Sequence, residues 1–201
     1  ALETVLTVLH AGGKFGGGGY KVSSGLHGVG SSVVNALSNH MIAEVCKNGK
    51  VHHIEFERGK TTVPFAVTGK TEKHGTSVTF YPDETIFKET VTFDYDWVVN
   101  YLRHQSYLTK GLKTTVYDER TGKSDSFYFE GGIKSYVRRL NEGKEVLSDD
   151  IFYVEKPIED CIVELAVQYN DTFTETMRPF ANNVLTPEGG MHVVGFRTAL
   201  N

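Results

Sequence analysis

Apolar positions first recur along the chain with a helical period. Leu2, Val5, Leu6 and Leu9 fall at i, i+3, i+4 and i+7, which predicts an amphipathic helix, and no residue ahead of it is a good N-cap. After a glycine-rich stretch, Val29, Val33, Ala36 and Leu37 line one face of a second predicted helix ending near Ser38. The period then changes to two. "MIAEVCK" and "VHHIEFE" read as strands joined by Asn48-Gly49, a strong hairpin signal, and "PFAVT" and "TSVTFYP" add two more. Asp94 is placed to cap a helix through "YDWVVNYLRHQSYL" that Gly111 closes. "LKTTVYDE" and "SDSFYFE" flank Thr121-Gly122 as a second hairpin.

Beyond Glu130-Gly131-Gly132, Ile133, Tyr136, Val137 and Leu140 share a helix face. "IFYVEK" and "CIVELAVQYN" read as strands. Val163, Leu165, Val167 and Tyr169 alternate with Glu164, Ala166 and Gln168, so one face is expected to be buried. "TETMRPFANN" reads as a third strand, and Gly189-Gly190 leads into a last helix carrying Val193, Phe196 and Leu200. The whole is expected to be α+β in two domains, residues 1–130 and 131–201.

Composition narrows the class. With 39% hydrophobic residues in 201, real cores are expected and disorder is not. A net charge of -4 without a long basic run does not advertise nucleic-acid binding. Cys46 and Cys161 form no CxxC, which fits a reduced, cytoplasmic setting better than a disulfide scaffold. No apolar run is long enough to span a bilayer, and no signal peptide is evident. The apolar pattern is already running at Ala1 and still running at Asn201, so the chain reads as a piece of a longer protein.

Candidate chemistry concentrates in "KFGGGGYKVSSGLHGVG", residues 14–30. Nine glycines lie between Gly12 and Gly30, although each costs backbone entropy to order. The arrangement is loop, then Gly25-Leu26-His27-Gly28-Val29-Gly30, then helix. A helix's first turn offers unpaired N–H groups and partial positive charge, which favour an anion. Lys14 and Lys21 bracket the loop and can bring ammonium charge to a phosphate, while Tyr20 offers a hydroxyl and a flat face to a base. A polyphosphate nucleotide fits this chemistry. A P-loop does not, because Phe15 follows Gly13-Lys14. A dinucleotide fingerprint would need glycine where Val33 stands. By composition alone, a ligand-free linker is the competing reading.

"TVLHAGGKFGGGGYKVSSGLHGVGSSVVNALS" resembles the ATP-lid segment of the ATPase subunits of bacterial type II topoisomerases, the gyrase B and topoisomerase IV B group. The likeness continues through "AVTGKTEKHGTSVTFYP", "FEGGIKSYVRRLN", "IFYVE", "LAVQYND" and "NNVLTPEGG", over essentially the whole chain. It implies the C-terminal part of an ATP-binding α/β sandwich, shared with histidine kinases, mismatch-repair ATPases and a chaperone family. After that part comes the start of an α+β transducer domain.

Carried over by motif, the backbone of Gly25, Leu26, His27, Gly28, Val29 and Gly30 would hold the phosphates. Lys14 would reach the terminal phosphates and Tyr20 the adenine, while Thr76 resembles the strand residue that hydrogen-bonds adenine through its hydroxyl and water. A β-branched residue in a strand also needs no such reason. The implied cofactors are ATP and Mg2+, with the family's catalytic glutamate and magnesium-holding asparagine preceding the lid, so no catalytic residue and no metal ligand is assigned in this chain. The implied partners are a second copy of the same protein, the DNA-cleaving gyrase A protein and duplex DNA. The implied activity is ATP-driven negative supercoiling through clamp closure. Topoisomerase IV B and an ATP-driven chaperone or mismatch-repair clamp remain alternatives.

Lys47 stands where gyrases often carry arginine, and loses its bidentate geometry. Ser24 replaces a frequent glycine and Met191 a usual threonine. His52 and His53, adjacent on a strand, should point to opposite faces and not share a metal. Arg138, Arg139 and Lys144 read as a solvated helix face, although in a transducer they could face captured DNA. Gly16 to Gly19 have no side chains to anchor them, so a nucleotide is expected to order this lid.

Overall fold

The computed structural model describes residues 1–11, 27–159 and 161–201. The expectations placed on Lys14, Tyr20, Gly25 and Leu26, and on the ordering of the lid, lie outside them. The fold is α+β with antiparallel sheets, in two compact units, Ala1–Thr92 and Phe93–Asn201.

In the first unit, α1 (Leu2–Thr7) and α2 (Gly30–Ala36) accompany a four-stranded sheet, β1 (Ser38–Lys47), β2 (Lys50–Glu57), β3 (Lys60–Lys70) and β4 (Gly75–Pro82). The strand order is β3-β2-β1-β4, all antiparallel. Both hairpin turns take two residues with positive φ, Asn48 (52°) with Gly49 (74°) and Arg58 (47°) with Gly59 (80°). This left-handed backbone matches strand twist and suits asparagine far better than arginine, so only the first turn is announced by its composition. Alternation sends Met41, Ala43, Ile54 and Phe56 to one face, where they are almost fully buried with Leu6, and Leu2 packs against them.

The helices depart from the apolar pattern. α1 ends at Thr7, with Val8 extended and His10 at φ 61°, so Leu9 lies past the helix and is exposed. On α2 the buried residues are Ser32 and Asn35, while Val33 and Val34 are exposed. Polar groups win here because a helix end leaves carbonyls unpaired. The Ser31 hydroxyl donates to the Val5 carbonyl (2.9 Å), and the Asn35 amide donates to the Leu6 carbonyl (3.0 Å). The second helix thus completes the C-terminus of the first.

A second polar knot closes the end of the sheet. Asp83 is 1% exposed. It accepts from Arg58 Nε (2.5 Å) and from both the backbone N–H (2.9 Å) and hydroxyl (2.7 Å) of Thr85. Its own N–H donates to the Leu37 carbonyl (3.0 Å), and Arg58 N–H donates to the Ser38 carbonyl (2.9 Å). The Asp83 carboxylate therefore ties the β2–β3 turn to the residues after β4, and its backbone N–H ties both to the α2–β1 junction.

In the second unit, Asp94 caps α3 (Tyr95–Leu108) by accepting from the Trp97 N–H at 2.7 Å, as expected. The helix stops three residues before Gly111, which has φ 78°. The hairpin β5 (Lys113–Asp118) and β6 (Lys123–Tyr128) turns through Gly122 at φ 71°. With α4 (Ile133–Leu140) these elements enclose an aromatic stack, Tyr107 on Phe129 (3.8 Å between ring centres) and on Tyr136 (5.0 Å).

Two strand expectations need correction. Among the described residues β7 (Phe152–Ile158) and β8 (Cys161–Val167) pair only with each other, and no face of β8 is fully buried, with Val163 47% exposed and Tyr169 63%. A two-stranded ribbon offers a covered face only where another element lies on it. Of "TETMRPFANN", only Phe180–Ala181 forms a strand, β9, paired to β10 (Val184–Leu185) across Asn182 and Asn183, both at positive φ. Pro179 lacks the N–H a longer ladder would need. α5 (Met191–Leu200) follows Gly189-Gly190 and buries no residue.

Two stability outcomes follow. Phe56→Ala should cost about 3–5 kcal/mol and Ile54→Val about 1 kcal/mol in urea unfolding, because both sites are fully buried. Arg58 and the Thr85 donors hold the Asp83 carboxyl well below its ordinary 3.8. A depressed carboxyl contributes stability above its unfolded value and loses it as pH falls through the folded one. Asp83→Asn should therefore lower the urea midpoint at pH 7 and flatten its decline below about pH 4. Arg58→Ala in the Asp83→Asn background should add little further loss.

Candidate nucleotide site

The described part of the glycine segment enters α2. The His27 carbonyl stands 2.7 Å from His10 Nδ1, and the two rings meet edge-on at 6.4 Å. Gly28 has φ 59°, a conformation that penalises any side chain. Val29 is the N-cap residue, and its carbonyl accepts the Ser32 hydroxyl (2.9 Å) and the Val33 N–H (2.9 Å). Gly30 opens the helix, and a Cβ built on it would meet no atom of the described residues within 4 Å.

Among the described residues no side chain caps α2. The serines of its first turn, good capping residues by type, send their hydroxyls to carbonyls instead. Among the described residues, nothing fills the space beside Gly30 and no side-chain oxygen competes for the first-turn donors. That fits a phosphate group held by main-chain N–H groups. The imidazole of His27 is not needed for this.

Thr76 lies on β4 directly across from Val45 of β1 and is exposed. The register places Thr76, Val78 and Phe80 on the same sheet face as Val45, Ala43 and Met41, the face that carries the helices. On that face is a cavity of about 430 Å³, lined by Leu2, Glu3, Val45, Lys47, His52 and Phe65 among others. His52 stacks on Phe65 at 5.3 Å and 12°, and its Nδ1 is buried without a hydrogen-bond partner among the described residues. Thr76 adjoins this cavity through Val45 but is not among its lining residues.

Lys47, singled out in the sequence as a lysine in an arginine's place, does line the cavity. His52 lines it as well, although its sequence context suggests only that it is no metal ligand. The signal that places it there is its spacing, two residues before the core position Ile54 and so on the inward side of β2.

Elsewhere several charged side chains pair with one another. In the second unit, Lys110 bonds to Glu155 (2.8 Å), Glu164 (2.9 Å) and the Tyr153 hydroxyl. Burial, together with these carboxylates, pushes the Tyr153 hydroxyl up to about 12, so it stays protonated. Arg139 pairs with Glu142, and Arg138 is exposed. Among the described residues no group of three or more His, Cys, Asp or Glu is placed to hold a metal ion. No described helix is long and apolar enough to cross a membrane.

The family model described as DNA gyrase B matches residues 132–201. The DNA gyrase B protein of Streptococcus pneumoniae is 50% identical over 202 residues, covering 100% of this chain and 31% of that protein. The Halalkalibacterium halodurans protein of the same name is 51% identical over 201 residues, covering 100% and 32%. Among solved structures, the 43K ATPase domain of Thermus thermophilus gyrase B, in complex with an aminocoumarin, superposes with a TM-score of 0.86 at 34% identity. It covers 99% of this chain and 50% of that one. The chain thus spans about one third of the length of the curated relatives it matches, and over its whole length it belongs to the DNA gyrase B family.

Proposed function

We propose that this chain is part of the ATP-binding and ATP-hydrolysing component of a bacterial DNA gyrase, which drives negative supercoiling by closing a clamp around duplex DNA. The observation that carries the reading is identity of 50% along the entire chain to proteins named as DNA gyrase B. The fold likeness to a domain titled as the gyrase B ATPase supports it. The partners would be a second copy of the same protein, gyrase A and DNA, in the cytoplasm. Residues 1–130 would belong to the ATP-binding domain and 131–201 to the transducer. The start of the family match at residue 132 supports that division, while the compact units of the fold part earlier, after Thr92.

In this reading the backbone of Gly25, Leu26, His27, Gly28, Val29 and Gly30 holds the phosphates, and the uncapped first turn of α2 supports the last three of these assignments. Lys14 adds positive charge at the terminal phosphates, Tyr20 contacts adenine, and Thr76 offers its hydroxyl from the sheet. Bound magnesium would supply charge neutralisation. The chain's own contribution is to position the phosphates and stabilise their charge, which is most of what phosphoryl transfer requires of a protein. No acidic residue occurs from Thr4 to Ala43, so the glycine segment contains no carboxylate that could activate water.

Three outcomes test this. In the full-length protein, Gly30→Val should weaken ATP binding about 10- to 100-fold, the worth of one or two charge-assisted hydrogen bonds, with little loss of stability because the Cβ meets no described atom within 4 Å. Unchanged ATP affinity would remove the phosphate assignment. The 201-residue chain by itself should show no ATP turnover above a protein-free control. Mixed with gyrase A, the full-length protein should introduce negative supercoils, and decatenation without supercoiling would point to topoisomerase IV instead.

A further inference from the structure

The sheet of the first unit has a second face, away from the helices, and it carries a row of charges. Alternation places His40, Ile42 and Glu44 of β1 there, beside His53, Glu55 and Glu57 of β2. In register, Glu44 stands opposite His53 and Ile42 opposite Glu55. His53 Nε2 lies 2.8 Å from one Glu55 oxygen, and His53 Nδ1 lies 3.3 Å from Glu44. The other Glu55 oxygen is 3.1 Å from His40 Nε2.

Ionised carboxylates only accept hydrogen bonds. A neutral imidazole has one N–H, so it could satisfy one of the two carboxylates and would turn a lone pair on the other. Both His53 contacts are hydrogen bonds only when the ring carries two protons. We propose that this His40–Glu55–His53–Glu44 row is a proton-operated clasp across the β1–β2 pair, fastened while His53 is imidazolium and loosened when it loses a proton. The inference does not rest on the nucleotide reading.

The surroundings favour the charged ring. From β2, Glu57 adds a third carboxylate, answered across the register by Lys60 of β3. Val63 and Ala66 of β3 stand opposite Glu55 and His53 and bring no charge. From β4, Tyr81 meets the His40 ring edge-on at 6.0 Å, while Thr79 and Ser77 face Ile42 and Glu44. Cys46 continues the same row of β1. The Glu55 hydrogen bond raises His53 above the ordinary 6.5, burial opposes it, and Glu44 adds to the rise. A raised imidazole contributes stability below its unfolded value, and that stability is lost as pH rises through the folded one.

The test follows the His53 ring by NMR in the 201-residue chain from about pH 5 to pH 9, alongside urea midpoints over the same range. The expected result is titration of His53 above 6.5, reduced in Glu55→Gln and in Glu44→Gln. The urea midpoint should fall as pH rises through that titration, and the fall should be lost in His53→Gln. Titration of His53 at or below 6.5, or the same fall in the midpoint of wild type and Glu55→Gln, would overturn the proposal. Glu44 is exposed, so its variant keeps the test open should Glu55→Gln fail to fold.

Discussion

A carboxylate removed from water must find its hydrogen bonds inside the protein, and in the first unit that demand organises the sheet. Asp83 is satisfied only if Arg58 occupies a left-handed turn position and if Thr85 turns back on it. Its own N–H must also reach the end of α2. Three connections therefore meet at one residue, two through its carboxylate and one through its backbone N–H. Apolar burial beneath α1 supplies the driving force for this unit, but it does not choose the turn geometry. The buried carboxylate does.

Strand pairing is largely legible in the sequence because its signals are local. Period-two alternation marks Met41, Ala43, Ile54 and Phe56, and Asn48-Gly49 announces its turn by composition. Asp94 can be read as a cap for the same reason. Failures come where the decisive partner is distant in sequence. The valines of α2 suggest an apolar face, yet Asn35 is buried instead because a carbonyl 29 residues away needs a donor. The alternation of β8 is genuine, but nothing local says whether another layer covers a ribbon.

The candidate site divides along the same line. The glycine segment suggests anion chemistry through composition and through what a helix start offers an anion, and the positive φ of Gly28 and the space among described residues at Gly30 are compatible with it. The cavity beside Val45 is not legible. Its walls come from α1, β1, β2 and β3, whose register only the assembled sheet defines. Resemblance to a family reaches the first of these directly and says less about the second, where Lys47 replaces a commoner arginine.

The hydrogen bonds from α2 to α1 have a mechanical meaning. Ser31 and Asn35 hold consecutive carbonyls of α1 from opposite ends of a helix only seven residues long. So short a rod has no room to bend between them. A pull on the first turn of α2 would reach α1 as a rigid displacement instead of being absorbed along the way, and α1 is the cover over the buried face of the sheet. Whatever seizes the start of α2 therefore has a handle on the roof of the core.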